Sequence, residues 1–169
     1  MKVRIAINGF GRIGRVFLRS VLKHPSFEVV AINDLSSSEI MSHLFKYDSV
    51  HRTFEGKVSY TSDSIVVDDK PIYYSSISEP EKLPWKDLKV DIVLECTGNF
   101  KTKKLASKHL KAGANKVIIS APPSESDIKT IVIGVNDDII DGTEQILSNA
   151  SCTTNSAAPM IQLINNHFG

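Results

Sequence analysis

The chain has 169 residues, enough for one ordinary domain, and its 41% of hydrophobic residues can form a buried core. Twenty basic residues against nineteen acidic ones leave a formal charge of +1, which indicates neither a nucleic-acid surface nor an acidic tail. Two cysteines cannot make a disulfide framework, apolar runs are too short to span a membrane, and residues 1–5 do not resemble a signal peptide, so we expect a reducing, cytoplasmic setting.

The first part of the chain alternates strand and helix patterns. Residues 3–8 are β-branched and apolar, which predicts a strand buried on both faces. A glycine-rich turn over 9–14 follows, and apolar residues then recur at helical spacing until His24-Pro25 ends the helix. A second strand is predicted at 28–33, which completes a strand-helix-strand unit of about thirty residues.

The rest of the chain continues this alternation with one interruption. Ser36 and Glu39 resemble a capping box, which predicts a helix through about residue 47. Short β-like stretches at 56–60, 64–67 and 71–75 predict a small antiparallel insertion at the sheet edge. Further strands are predicted at 90–95, 116–121, 131–134 and 145–148, and helices at 102–112, capped by Gly113, and at about 152–168. The order predicts an α/β fold with a mostly parallel, doubly wound sheet.

The turn after the first strand has the pattern G-x-G-x-x-G, formed by Gly9, Gly11 and Gly14. Alone it is a weak signal, but a strand precedes it, a helix follows, and Asp34 lies after the second strand. Gly11 would let a pyrophosphate approach the backbone, and the start of the helix attracts phosphates. Asp34 would accept hydrogen bonds from both ribose hydroxyls and repel a 2′-phosphate, which favours NAD over NADP. The alternative is a turn that only connects strand to helix.

Cys152 stands in the first turn of the last predicted helix. A helix N-terminus favours a thiolate, and its unpaired N–H groups can stabilise an oxyanion. Ser151 and Thr153 flank the sulfur with hydroxyls that could bind phosphate, and Asn155 could hold the turn. The other interpretation, a small buried cysteine, fits Cys96 better because that residue ends an apolar strand.

Six stretches, in this order, resemble the glyceraldehyde-3-phosphate dehydrogenase family: INGFGRIGR (7–15), KYDSVH (46–51), ECTGNF (95–100), KVIISAP (116–122), GVN (134–136) and SNASCTTN (148–155). The resemblance runs along all 169 residues and stops roughly halfway through a typical member. It implies a Rossmann-type NAD-binding domain over 1–150 and the first helix of an otherwise absent catalytic domain over 151–169. It also implies a homotetramer for the full-length protein. The balanced charge and the short apolar runs predict no nucleic-acid or membrane partner.

The family's reaction then implies roles for individual residues. Cys152 would attack the aldehyde of glyceraldehyde 3-phosphate, NAD would accept a hydride, and inorganic phosphate would release 1,3-bisphosphoglycerate from the thioester. Ser151 and Thr153 would lie at the phosphate site, and no metal is expected. The implied NAD-binding residues are Asn8, Gly9, Phe10, Gly11, Arg12, Ile13, Asp34, Thr97, Gly98, Phe100 and Ser120.

Some positions depart from the family's pattern. Ser78 falls where an arginine or lysine is usual, which puts a cofactor contact there in doubt. Ser156 replaces a frequent second cysteine, whereas Leu35 agrees with a preference for NAD.

The reaction also needs a histidine as general base, and none of the five histidines is a convincing substitute. His167 shares a helix with Cys152 but would lie roughly 22 Å away along its axis. No catalytic role is expected for His24, His43, His51 or His109, and His24, His43 and His109 are interpreted as surface or packing residues. The chain alone is therefore expected to bind NAD with little or no turnover. Without the family's final helix, it should also carry an uncovered apolar patch.

Three alternatives stay open. Erythrose-4-phosphate dehydrogenase shares the implied architecture, and the residues that would distinguish it lie mostly past Gly169. A non-catalytic NAD-binding or interaction module is a second alternative. A related cysteine enzyme, such as an aspartate-semialdehyde dehydrogenase, is a third, against which SNASCTTN and KYDSVH argue.

Overall fold

The valine- and isoleucine-rich runs form an eight-stranded sheet in the computed structural model, which describes residues 2–169. The helices and strands are β1 (Val3–Asn8), α1 (Arg12–Val21), β2 (Phe27–Asn33), α2 (Ser38–Lys46), β3 (Val58–Tyr60), β4 (Ser64–Val67), β5 (Lys70–Ser75), β6 (Ile92–Glu95), α3 (Lys103–Lys111), β7 (Lys116–Ile119), β8 (Ile146–Ser148) and α4 (Cys152–Phe168). Short 3-10 turns occur at Pro80–Lys82 and Asp137–Ile139.

The strands lie in the order β3-β4-β5-β2-β1-β6-β7-β8. The six strands from β5 to β8 in that order are parallel neighbours, whereas β3, β4 and β5 pair antiparallel. The predicted mostly parallel sheet with a small antiparallel edge is therefore confirmed. The chain moves from β1 outward to β2 and later returns to β6 on the other side of β1, so the strand order reverses at β1.

The central strands β1 and β2 are buried on both faces: neighbouring residues of each strand point to opposite faces, where they pack in two separate cores. Ile7 and Ile32 pack in one core with Phe10 and Phe45. Ala6 and Ala31 pack in the other core, whose largest buried side chain is Trp85. Two helix-covered faces are what a doubly wound sheet requires.

Two predictions about local structure were wrong. Ser37, not Ser36, caps α2: its side chain accepts a hydrogen bond from the Ile40 N–H at 3.3 Å. Residues 131–134 form no strand, and only Thr130 makes a single bridge, to Ser148. The Asn136 side chain takes the place of a strand neighbour, since it accepts from the Val132 N–H at 2.8 Å and donates to the Thr130 carbonyl at 2.9 Å.

Most other predicted boundaries differ from the observed ones by one or two residues. Gly113 follows α3 with φ +106°, as its predicted role as a cap requires. Within residues 2–169, no helix combines the length and the apolar character needed to cross a membrane.

Candidate functional site

A cleft of about 320 Å³ opens at the carboxyl ends of the central parallel strands. Its lining residues are Asn8, Gly9, Gly11, Asn33, Asp34, Leu35, Ile77, Ser78, Cys96, Thr97, Asn99 and Phe100. They follow β1, β2, β5 and β6, so the cleft lies where the strand order reverses. Ligands of open α/β sheets bind at this position.

The glycine turn has different constraints at each glycine. Gly9 has φ +91°, and a Cβ there would lie 2.7 Å from the Thr97 nitrogen, so no other residue fits. A Cβ on Gly14 would lie 2.4 Å from the Gly9 carbonyl oxygen, which shows how closely α1 approaches β1. A Cβ on Gly11 would meet nothing within 4 Å. The backbone is therefore accessible to a ligand at Gly11, whereas Gly9 and Gly14 are packed against other parts of the chain.

The start of α1 offers backbone donors beside this opening. The first hydrogen bond of the helix runs from the Arg15 N–H to the Gly11 carbonyl at 3.1 Å. The amides of residues 12–14 therefore have no partner inside the helix. Such amides, at the positive end of a helix, form an anion-binding site.

Asp34 is held beside the turn by two backbone donors. Its Oδ2 accepts from the Phe10 N–H at 2.7 Å, and its Oδ1 accepts from the Ser36 N–H at 3.0 Å. Each carboxylate oxygen has a further lone pair for a ligand. The carboxylate is half-buried and lines the cleft, so it is oriented before any ligand arrives.

The implied NAD-binding residues divide between the cleft and its surroundings. Those that line the cleft are Asn8, Gly9, Gly11, Asp34, Thr97 and Phe100. Gly98 is exposed between lining residues, with φ +74°. The Phe10 ring is fully buried, 5.9 Å from the Phe45 ring centroid, so only its backbone lies near Asp34.

Three further implied residues lie outside the cleft. Arg12 is exposed at the start of α1. Ile13 and Ser120 line a separate apolar groove of about 410 Å³ on the sheet face, together with Phe17, Leu94, Ile118, Ile131, Ile133, Ile140, Leu147, Ser148 and Asn149.

The turn between β8 and α4 is braced on both sides. Ser151 caps α4 by accepting from the Thr154 N–H at 3.0 Å. Asn155 donates to the Asn149 carbonyl at 2.7 Å and to the Ser151 carbonyl at 2.9 Å, which confirms that it holds the turn. Ala150 has φ +59°, a left-handed conformation that costs a non-glycine residue about 1 kcal/mol or more. The bracing keeps this strained turn in place.

Cys152 is the first residue of α4 and is exposed, whereas Cys96 is half-buried beside Ser120. Burial raises the pKa of the Cys96 thiol to about 12. Cys152 follows β8, three strands from β1 on the same edge of the sheet, or about 14 Å at ordinary strand spacing. It is not part of the cleft lining.

The histidines offer no base near Cys152. His167 lies exposed in the last turn of α4, at the other end of the helix. His109 is fully buried, which agrees with a packing role, but its ring is also hydrogen-bonded to Glu95 and Trp85. The signal for this burial was present in the sequence, since Ala106 and His109 share one face of α3. Among residues 2–169, no cluster of three His, Cys, Asp or Glu side chains could hold a metal ion.

Several lining residues were not among the implied cofactor contacts: Asn33, Leu35, Ile77, Ser78, Cys96 and Asn99. All of them lie at or just beyond the ends of β2, β5 or β6. Predicted strand ends could have identified them, given the strand order.

Residues 3–103 match a family model described as "Glyceraldehyde 3-phosphate dehydrogenase, NAD binding domain". The chain is 52% identical over 166 residues to the glyceraldehyde-3-phosphate dehydrogenase of Clostridium acetobutylicum, covering 98% of this chain and 49% of that protein. It is 53% identical over 168 residues to the glyceraldehyde-3-phosphate dehydrogenase of Thermotoga maritima, covering 98% of this chain and 50% of that protein. The identity to the glyceraldehyde-3-phosphate dehydrogenase of Geobacillus stearothermophilus is 49% over 170 residues, covering 100% of this chain and 50% of that protein. The chain thus spans about half the length of the curated relatives it matches.

Proposed function

The chain belongs to the glyceraldehyde-3-phosphate dehydrogenase family, and we propose that it is the NAD-binding half of such an enzyme, with Cys152 as nucleophile. Residues 1–150 would be the NAD-binding domain and 151–169 the first helix of the catalytic domain. One observation carries the proposal: the glycine turn, Asp34 and an exposed cysteine at a helix start share one edge of a parallel sheet.

In this proposal the cleft receives the adenosine half of NAD. The open backbone at Gly11 and the free amides of residues 12–14 would hold the pyrophosphate. Asp34 accepts hydrogen bonds from the ribose hydroxyls, and its charge disfavours the additional phosphate of NADP. Ser120 and Ile13 line the apolar groove beside the cleft and would contact the nicotinamide half.

Cys152 carries the covalent chemistry in this proposal. Its thiolate attacks the aldehyde carbon of glyceraldehyde 3-phosphate, and the Cys152 and Thr153 amides, which precede the first hydrogen bonds of α4, stabilise the oxyanion. Bound NAD supplies the hydride acceptor. Inorganic phosphate then displaces the thiolate from the thioester, releases 1,3-bisphosphoglycerate and regenerates Cys152.

The reaction requires groups that residues 2–169 do not bring to Cys152. The attacking thiol and the oxyanion need a proton acceptor and donor, and His167 lies at the opposite end of α4. We therefore expect the 169-residue chain to bind NAD with little or no turnover.

Two uncovered apolar surfaces support a larger protein in which a second domain is present. No residue of α4 is buried, and its large exposed apolar residues are Met160, Ile161, Leu163, Ile164 and Phe168. The apolar groove on the sheet face is also open, with Ile133 77% exposed. The second domain would cover α4, a returning helix would cover the groove, and the full-length protein would be a cytoplasmic homotetramer.

NAD binding is tested by calorimetric titration of the purified chain with NAD and, as a control, with NADP. We expect NAD to bind more tightly than NADP, and Asp34→Ala to weaken NAD about tenfold and to narrow that gap, since it removes a charge-assisted acceptor. A chain that binds neither dinucleotide would contradict the proposal.

The covalent role is tested by mixing the chain with the carboxyl-terminal half of the Clostridium acetobutylicum enzyme. NADH formation from glyceraldehyde 3-phosphate should require both halves and inorganic phosphate. It should be lost in Cys152→Ser. Turnover that survives in Cys152→Ser would exclude Cys152 as nucleophile, and a complemented pair that binds NAD but never reduces it would favour a non-catalytic module.

A further inference from the structure

A polar network lies beneath the cleft and reaches its lining at Asn8, Asn33 and Thr97, and its two innermost members, Glu95 and His109, have no part in the proposed reaction. Glu95, at the end of β6, and His109, on α3, have fully buried side chains, with Glu95 Oε2 3.0 Å from His109 Nε2. Asn8, at the end of β1, donates to the same Oε2 at 2.6 Å. Glu95 Oε1 accepts from the Thr97 N–H at 2.7 Å and also from the Thr97 hydroxyl.

Trp85 fixes the tautomer of the His109 ring. Its indole nitrogen can only donate, and it lies 3.0 Å from His109 Nδ1. His109 Nδ1 must therefore be the acceptor, so the ring is neutral and carries its proton on Nε2, which donates to Glu95. The two oxygens of Glu95 are thus surrounded by the Asn8 amide, the His109 ring N–H, and the backbone amide and hydroxyl of Thr97. The 3.4 Å approach of Asn8 Nδ2 to His109 Nε2 joins two donors and is not a bond in this tautomer.

The network continues from Asn8 across the sheet. Asn33, at the end of β2, donates to Asn8 Oδ1 at 2.8 Å. Asn33 Oδ1 accepts from the Ser75 hydroxyl and from the Ile77 N–H, both at 2.9 Å, and its Nδ2 donates to the Ile77 carbonyl at 2.9 Å. The side chains therefore link the ends of β6, β1, β2 and β5.

Both walls of the cleft are attached to this network. Ile77 belongs to one wall. Thr97 belongs to the other, and its hydroxyl oxygen accepts from the Asn99 N–H at 3.1 Å. The glycine turn rests on the same segment, because Gly9 packs against the Thr97 nitrogen too closely for any Cβ. A shift of Thr97 would therefore displace the turn as well as the wall.

We propose that Glu95 and His109 are positioning residues for the dinucleotide. Glu95, oriented by His109, holds the 97–99 segment directly and the Ile77 segment through Asn8 and Asn33. The cleft is thus preformed, and binding does not have to order its walls. Neither Glu95 nor His109 lines the cleft, so both act through other residues. This inference rests on the proposed NAD site.

The test compares Glu95→Gln with a matched core variant. Glutamine keeps the size of the side chain but replaces one carboxylate oxygen by an NH₂ group. Whichever oxygen is replaced, the NH₂ group faces donors of the network and cannot accept from them. Ile119→Val is the control, since Ile119 is the β7 partner of Glu95 in the sheet, is fully buried and does not line the cleft. We expect Glu95→Gln to raise the NAD dissociation constant about tenfold or more, because buried donors lose their acceptor. Ile119→Val should change it less than about twofold.

Hydrogen exchange of the ligand-free variants separates positioning from general destabilisation. Glu95→Gln should accelerate exchange of the amides of Ile77, Thr97 and Asn99 more than exchange in β7, whereas Ile119→Val should do the opposite. If Glu95→Gln does not fold, Ser75→Ala removes only the far end of the network and should weaken NAD about threefold.

The outcomes distinguish this inference from the proposed function. If the wild-type chain does not bind NAD, the proposed function itself is wrong. Wild-type chain that binds NAD, with Glu95→Gln or its substitute Ser75→Ala binding equally well, would overturn the positioning role alone. Loss of binding without faster exchange at either wall would overturn it as well.

Discussion

The environments of the two cysteines determine where thiol chemistry can occur. Cys152 is exposed at the first position of α4, where a reagent can reach its sulfur. Cys96 is half-buried just after β6, and burial of its sulfur raises the pKa of the thiol to about 12. Because the thiolate is the nucleophile, Cys96 should react slowly near neutral pH, whereas the exposed Cys152 is open to reagents.

Alkylation by iodoacetamide at pH 8 measures this difference. One equivalent should react quickly, at Cys152, and a second should react more slowly by about tenfold or more, because burial keeps Cys96 protonated. Cys152→Ser should lose the fast phase and Cys96→Ser should keep it. A fast phase that survives in Cys152→Ser would contradict the assignment.

Cys96 also predicts how stability depends on pH. The folded state holds the Cys96 proton up to about pH 12, whereas the unfolded chain releases it near pH 9. The contribution is therefore complete below pH 9 and is lost as the pH rises. The difference in unfolding free energy between wild type and Cys96→Ala should fall by at most about 1.4 kcal/mol per pH unit from pH 9 to 11. Urea denaturation measures it, and a difference independent of pH would refute the prediction.

At the scale of elements, the contact between α1 and β1 limits the glycine turn. Gly14 lies so near the Gly9 carbonyl that a methyl group would overlap it, whereas Gly11 faces open space. The two positions are therefore a matched pair: one serves helix packing, and the other serves the approach of the ligand to the backbone.

Gly14→Ala should lower the free energy of unfolding by about 2–3 kcal/mol, because the methyl group forces α1 away from β1. Gly11→Ala should change stability by less than about 1 kcal/mol, yet weaken NAD about tenfold by keeping the pyrophosphate from the backbone. Denaturation and NAD titration of both variants measure the two effects. An equal loss of stability in both variants would contradict the assignment of helix packing to Gly14 and of ligand approach to Gly11.

At the scale of the whole molecule, short-range patterns predicted the parallel sheet, the glycine turn and the helix start at Cys152. They did not predict which distant side chains meet. Trp85 and His109 are 24 residues apart, and Glu95 is 14 residues from His109, so their contacts exist only after β6, α3 and the loop after β5 have packed. The 131–134 prediction failed for a related reason. An apolar run resembles a strand, but an asparagine side chain occupies the place of its neighbour.

The uncovered apolar faces predict the behaviour of the chain in solution. The groove on the sheet and the apolar residues of α4 should cause association that increases with concentration and should bind a hydrophobic dye. The double variant Ile133→Lys with Leu163→Lys should reduce both effects in sedimentation velocity and fluorescence. An equally charged control on an already polar surface, Ser20→Lys with Ser59→Lys, should leave them unchanged. Unchanged association in the first variant would place the contact elsewhere.

The most direct measurement is a crystal structure of the chain with NAD bound. We expect the adenosine in the cleft beside Asp34 and the pyrophosphate over Gly11. The nicotinamide ring should lie beside the exposed Cys152 sulfur. A substrate carbon bonded to that sulfur would then lie about 3.5 Å from C4 of the nicotinamide ring. A nicotinamide ring directed away from Cys152, or a Cys152 sulfur buried out of reach of the ring, would contradict the account.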